Sequence, residues 1–254
     1  MKKVAVCNQK GGVGKTATAV NLSSALAHLG KKILLVDIDP QANATRGIGV
    51  EWKNLKSSIY ELLLDSNPEG DAIIKTKIEN LSLIPAHPDL VGAQLELYER
   101  ENPESHLSNV LNRLGQFDYC LIDCPPALGI LTINALAAAD SVLIPIQCEY
   151  YALEGIEKLL TTIRTIQEKI NPDLTIEGVI LTMFDKRLNL AHEVVRSVKE
   201  FFGDRVYNII IPRNVRIAEA PGFGKSIFEY DKHAVGARAY LLLAEEFLNH
   251  AQTR

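Results

Sequence analysis

Residues 3–30 read KVAVCNQKGGVGKTATAVNLSSALAHLG, and three local signals lie end to end within them. The first, KVAVC at 3–7, is a short apolar run of the kind that forms a strand covered on both faces. A glycine-rich turn follows. Then Ala19, Leu22, Leu26 and Leu29 recur at three- and four-residue spacing until Gly30 supplies a stop. A strand, a glycine turn and a helix in this order form the opening unit of a sheet wound with helices. The helix start presents unpaired amides to the turn, which suits an anion.

The turn itself, QKGGVGKT at 9–16, nearly matches the phosphate-binding pattern G-x-x-x-x-G-K-[ST]. Gly14, Lys15 and Thr16 complete its end, but Gln9 stands where the first glycine belongs. An extra lysine, Lys10, precedes the pair Gly11 and Gly12. In such a loop the glycines let backbone amides approach phosphate oxygens. Lys15 places a compact charge at the terminal phosphates, and Thr16 offers a hydroxyl to Mg²⁺.

The same unit repeats along the chain. Apolar runs at 33–37, 81–86, 119–123, 141–146, 176–182 and 206–212 read as further strands, and 152–172, 191–203 and 235–251 read as helices. Strands alternating with helices predict an α/β, doubly wound, mainly parallel sheet with helices on both faces. No glycine- or serine-rich linker divides the chain, so one domain over 1–254 is expected. Ligands collect at the carboxyl ends of strands in such sheets. There lie NQKGGVGKT, then DIDPQ after the second strand, then DCPP, which starts at Asp123, after the fourth run. A carboxylate such as Asp123 at the mouth of a buried strand calls for a counter-charge, which a metal ion beside phosphates supplies. Asp37 and Asp39 alternate in direction if the strand continues. One would face the loop and its metal and the other the attacking water, and spacing does not say which.

Composition sets the bounds. The chain has 254 residues, 47% of them hydrophobic, enough for a substantial core. It has no run of about 18 apolar residues and no secretory leader pattern, so a cytosolic location is expected. The four cysteines form no C-x-x-C and read as buried thiols, and the six histidines show no metal-ligand spacing, His192 reading as an exposed helix residue. Ser23 and Ser24 lie inside the first helix with no base nearby, and Tyr150 with Tyr151 reads as a packing pair rather than a base-stacking one. The net charge is −4, yet 184–238 carries ten Lys and Arg against seven Asp and Glu. Few aromatics interleave with these cations, which favours contact with phosphates over stacking on bases.

Five stretches carry a resemblance: KGGVGKT (10–16), LLVDIDPQANAT (34–45), DYCLIDCPPALGILTINAL (118–136), PIQCEYYALEG (145–155) and IPRNVRIAEAPGFGK (211–225). Together they resemble the ParA/Soj partitioning ATPases, members of the deviant Walker A class of P-loop NTPases that also holds MinD and the nitrogenase iron protein. The resemblance implies ATP and Mg²⁺ as ligands, bound by 10–17: Lys10, Gly11, Gly12, Val13, Gly14, Lys15, Thr16 and Ala17. It implies that Lys10 reaches the nucleotide of a partner subunit in an ATP-dependent homodimer. Asp39 then positions the attacking water, with Lys10, Lys15 and Asp39 as the catalytic set, and Thr16, Asp37, Asp39 and Asp123 serve the metal. Met183, Pro212 and Asn214 lie near the base. Arg187, Lys199 and Arg216 are the implied contacts to non-specific double-stranded DNA, and a ParB-type centromere-binding protein is the implied activator, at the nucleoid.

The sequence departs from the family pattern at Ala17, where a threonine is usual, and at Ala42, where glycine is usual. No N-terminal helix-turn-helix extension is expected. A MinD-like membrane-cycling ATPase is the alternative. It calls for a basic amphipathic C-terminus, whereas LLLAEEFLNHAQTR has Glu245 and Glu246 with only Arg254 basic, so no stable membrane association is expected. A cluster-carrying reductase lacks matched cysteines, and a small-molecule ligase would need a substrate pocket that the sequence does not reveal.

Overall fold

The computed structural model describes residues 1–64, 72–150, 152 and 156–253. Its strands are β1 (Lys2–Val6), β2 (Ile33–Asp37), β3 (Ile74–Lys75), β4 (Leu81–Ile84), β5 (Tyr119–Asp123), β6 (Ser141–Gln147) and β7 (Thr175–Thr182). Its α-helices are α1 (Lys15–His28), α2 (Asn43–Gly47), α3 (Ile59–Leu64), α4 (Leu90–Tyr98), α5 (His106–Asn112), α6 (Ile130–Ala138), α7 (Ile156–Lys169), α8 (Asn189–Phe202), α9 (Val215–Glu219), α10 (Ile227–Asp231) and α11 (Val235–Thr253). The seven strands form one sheet in the order β3-β4-β2-β5-β1-β6-β7. Every pairing is parallel except β3 with β4.

The sheet is covered on both sides, as its continuous apolar runs require. One face packs against α3 to α8 through residues such as Leu63, Leu97, Leu131 and Ile163. The other packs against α1, α10 and α11 through Leu22, Leu26, Ile227 and Tyr240. All five residues of β2 are buried. The first helix stops where the glycine signal stands, with Leu29 as cap and Gly30 at φ +80°. The helical readings at 191–203 and 235–251 correspond to α8 and α11, and that at 152–172 to α7, although Leu153, Glu154 and Gly155 lie outside the described residues.

Two readings need correction. The run at 206–212 is not a strand. It runs beside β7 with lone parallel bridges, Val179 to Val206 and Phe184 to Pro212. Between these bridges the Glu246 carboxylate on α11 accepts the amides of Asn208 at 2.8 Å and Ile209 at 3.0 Å. Those donors are thereby diverted from any ladder. The short antiparallel β3 was not foreseen, because two residues carry no periodicity.

Candidate functional site

The carboxyl ends of β1, β2 and β5 bring the loop and the acids together. β5 lies between β1 and β2, and Asp123 is the register partner of both Val6 and Asp37. The loop from Asn8 to Gly14 leaves β1 and passes over these ends into α1. Gly12 and Gly14 have φ of +74° and +87°, a region that L side chains rarely adopt. The amide of Thr18 donates to the Gly14 carbonyl at 2.8 Å, closing the first helical turn.

Two residues that sequence reasoning missed hold the loop. Asn8, almost fully buried, donates from its side chain to the Pro145 carbonyl at 2.7 Å and accepts the Lys10 amide at 3.0 Å. Thr182, at the end of β7, donates to the Val13 carbonyl at 2.8 Å. Asn8 directly precedes the loop, and its position there was the available signal. Thr182 is distant in sequence and gave none.

Lys15 is buried, and its ammonium donates to the Lys10 carbonyl at 3.0 Å. Burial lowers its pKa, opposed first by the charge of Asp123 and later by that of Asp39. The ammonium therefore faces the acids while it bonds the loop that carries the second lysine. The backbone of Lys10 is fixed by Asn8 and Lys15, whereas its own ammonium has no partner among the described residues.

The acids differ in their surroundings. The Asp37 carboxylate accepts the Thr45 amide at 2.8 Å, the Thr45 hydroxyl at 2.7 Å and the Asp39 amide at 3.1 Å. Burial nevertheless raises its pKa to about 6. Asp123 is fully buried, and neither of its oxygens has a well-aligned hydrogen-bond partner. Burial and then the Asp37 charge push its pKa well up, while the Thr16 hydroxyl nearby pulls it down in part. Asp39 lies past the end of β2, and its carboxylate accepts the Gln41 amide at 2.9 Å. The strand does not continue to Asp39, so Asp37 is held at the strand end and Asp39 at the start of the turn that the Ala42 amide closes onto its carbonyl at 2.8 Å.

A cavity of about 360 Å³ opens above the loop. Gly11, Gly12, Gly14, Lys15, Thr16, Ala17, Asp39 and Met183 all line it, joined by Gln41, Asn43 and Pro126. A Cβ added at Gly11 or Gly12 would meet nothing within 4 Å, so both edge open space. Lys10, Val13, Asp37 and Asp123 do not line this cavity, and Val13 and the two acids are buried. Met183 has φ +53°, and its methyl comes 3.8 Å from where a Gly14 Cβ would stand. Pro212 sits beside Phe184 through the bridge noted above. Asn214 caps α9 by accepting the Arg216 amide at 3.0 Å.

A larger cavity, about 850 Å³, shares Thr16, Ala17 and Asn43 with the first and extends to Arg46, Lys77 and Lys225. Its wall contains a contact between Gly49 and Gly224, where a Cβ on Gly49 would fall 2.6 Å from the Gly224 carbonyl oxygen. Ala42, before α2, holds a left-handed φ of 51° that glycine would adopt without cost.

Of the implied DNA residues, Arg187 stands on the loop after β7 and Arg216 in the first turn of α9, and the Phe184 to Pro212 bridge joins the segments that lead to them. Both are paired: Arg187 bonds Asp185 at 2.6 Å, and Arg216 bonds Glu219 at 3.1 Å and Asp231 at 3.7 Å. The Arg187 guanidinium holds the Asp185 carboxyl well below its usual range. Lys199 is not brought to them. It lies near the far end of α8, roughly 15 Å along the helix axis at 1.5 Å per residue. His192 is an exposed helix residue, all four cysteines are buried free thiols, and Tyr150 is exposed while Tyr151 lies outside the described residues. Among the described residues no cluster of three metal-ligating side chains occurs, and no helix is long and apolar enough to cross a membrane.

Whether the site fits a cation and a phosphate can be judged from two features. The orphaned, buried carboxylate of Asp123 beside Thr16 wants a positive partner, and the glycine-lined cavity edged by Lys15 wants a negative one. Both fit.

Residues 1–176 match a family described as "AAA domain". The chain is 53% identical over 246 residues to the sporulation initiation inhibitor protein Soj of Bacillus subtilis, covering 96% of this chain and 97% of that one. It is 50% identical over 246 residues to the chromosome partitioning protein ParA of Myxococcus xanthus, covering 96% and 87%. Among solved structures, cobyrinic acid a,c-diamide synthase from Mycobacterium smegmatis with bound ADP and magnesium superposes with a TM-score of 0.87 at 36% identity, covering 99% and 96%.

Proposed function

The chain belongs to the ParA/Soj family of chromosome-partitioning ATPases, and on that premise we propose that it acts as a single Mg²⁺-dependent ATPase domain. In this reading it pairs with a second copy when ATP is bound, holds DNA through its phosphates at the nucleoid, and hydrolyses ATP slowly until a ParB-type partner stimulates it. One observation carries the reading: a single cavity gathers the glycines of the loop, Lys15 and Thr16 with Asp39.

The roles follow from the positions. Gly11, Gly12 and Gly14 leave room for phosphate oxygens against backbone amides, and Ala17 offers an amide without a hydroxyl. Lys15 gives up the Lys10 carbonyl to neutralise the terminal phosphates. Thr16 and Asp123 would hold the magnesium ion, with Asp37 and Asp39 nearby; when bound, the ion offsets phosphate charge. Asp37, clamped by Thr45, keeps the turn rigid, and Asp39 orients the attacking water in line with the terminal phosphorus. The unpartnered Lys10 ammonium supports a role toward a nucleotide outside its own subunit. Met183 and Pro212 flank the base, and Asn214 meets it from the cap of α9.

The larger cavity supports a second reading, ATP-dependent modification of a small molecule, since the synthase named above shares the fold at 36% identity. The higher identities to Soj and ParA weigh for partitioning. Measuring magnesium-dependent ATP turnover with and without duplex DNA, beside band shifts with and without ATP, tests the first reading. ATP hydrolysis without any ATP-dependent DNA retention would favour the second.

A further inference from the structure

Helix α4 turns Leu90, Ala93 and Leu97 into the core, where all three are fully buried. Its opposite side carries Val91, Leu95 and Tyr98, which are 61%, 73% and 61% exposed. With spacings of four and three residues they form one stripe along the helix. Single exposed apolar side chains are ordinary, but three aligned on one face mark a contact surface.

The charges around the stripe narrow what covers it. Between Asp89 and Glu101 the chain places Asp89, Glu96, Glu99 and Glu101 against Arg100 alone. Glu96 is engaged by the Tyr60 hydroxyl at 2.9 Å and Asp89 by His87 at 3.1 Å, while Glu99 and Glu101 have no partner among the described residues. A second copy docking about a two-fold axis would set these acids against themselves. An anionic membrane would be repelled in the same way. A segment with apolar residues at helical spacing and flanking Lys or Arg satisfies both the stripe and its rim.

We propose that the outer face of α4, with Val91, Leu95 and Tyr98 framed by Glu99 and Glu101, is a docking surface for a cationic amphipathic segment of another protein. The surface meets the loop that follows β5. Gln94, at the edge of the stripe, lies 3.5 Å from where a Gly129 Cβ would stand, and the loop that ends at Gly129 also carries Pro126 into the cavity wall. The docking itself does not depend on the nucleotide reading above.

The test uses a labelled amphipathic peptide of leucine and lysine, with a leucine and glutamate peptide as its counterpart, titrated into the full chain. Hydrogen exchange locates the contact. The cationic peptide is expected to bind and to protect amides of 90–98. Leu95→Ser with Tyr98→Ser should weaken it about tenfold, and Glu99→Lys with Glu101→Lys should weaken it as well. Thermal melting and nucleotide binding of the same samples should be unchanged, which separates a failure here from a failure of the ATPase reading. Protection elsewhere, undiminished binding to the Leu95→Ser/Tyr98→Ser protein, or equal binding of the anionic peptide would overturn the proposal. So would self-association, or binding to phosphatidylglycerol vesicles, that those two substitutions abolish.

Discussion

Asp37 and Asp123 face each other as register partners at the ends of adjacent parallel strands, both fully buried, and only Asp37 has its oxygens occupied by donors. Two carboxylates so placed resist losing both protons without a cation between them. The arrangement makes Asp123 a cost to the metal-free fold.

The first prediction concerns that cost. Asp37 has a folded pKa of about 6, above its ordinary 3.8. Its contribution is therefore complete below the ordinary value and is lost as pH rises through about 6. The shift of Asp123 has the same sign. Asp123→Asn should raise the melting temperature in chelator at neutral pH, by about 1 kcal/mol or more in stability. The gain over the parent should grow as pH rises above the ordinary carboxylate value of 3.8, since the folded pKa of Asp123 lies well above it. A variant less stable than the parent at pH 7 would contradict this account, and the same variant should lose magnesium-supported turnover.

Asp39 supplies the second. Asp39→Ala should keep ATP affinity while turnover falls by about 10²-fold or more, because the water loses its orienting carboxylate. Hydrolysis at the parent rate would remove Asp39 from the mechanism.

The two lysines should separate cleanly. Lys15→Ala is expected to lose nucleotide binding in a fluorescent-analogue titration. Lys10→Ala should still bind, since its backbone anchors to Asn8 and Lys15 do not involve its side chain, yet elute as a monomer with a slowly hydrolysed analogue. Equal dimer formation by parent and Lys10→Ala would show that the early lysine does not act across an interface.

The fourth concerns DNA. Arg187→Glu with Arg216→Glu should abolish ATP-dependent band shifts and leave analogue-driven dimers intact. Both arginines carry acidic partners that DNA phosphates must displace, and because the contact is with phosphates, binding should weaken as salt rises. Sequence-selective retention, or retention by the double variant, would count against phosphate contact.

The sheet could be read from the sequence because its strands are buried on both faces and stay apolar from end to end. The phosphate loop could be read because Gly12 and Gly14 need backbone angles that other residues avoid. What escaped depended on distant partners. Glu246 diverts two amides of the 206–212 run, and nothing in that run announces a carboxylate from α11. Asp37 and Asp39 looked like an alternating pair, but β2 ends at Asp37, which Thr45 clamps, and Asp39 opens the turn that follows. Arg187 and Arg216 were implied as DNA contacts by the resemblance alone, and the acid that folding gives each of them was not legible.

The contact between Gly49 and Gly224 bears on how relatives of this chain can be recombined. A Cβ on Gly224 would come 2.7 Å from the Gly49 Cα, and both glycines hold positive φ, so neither site tolerates a side chain while the other backbone stays put. The loop after α2 and the loop after α9 therefore form one inherited unit, although Gly49 and Gly224 stand 175 positions apart in the chain. A chimera that takes one loop from a relative with a bulkier residue there, and leaves the other, would part the rim of the larger cavity; exchanging both together would keep it closed.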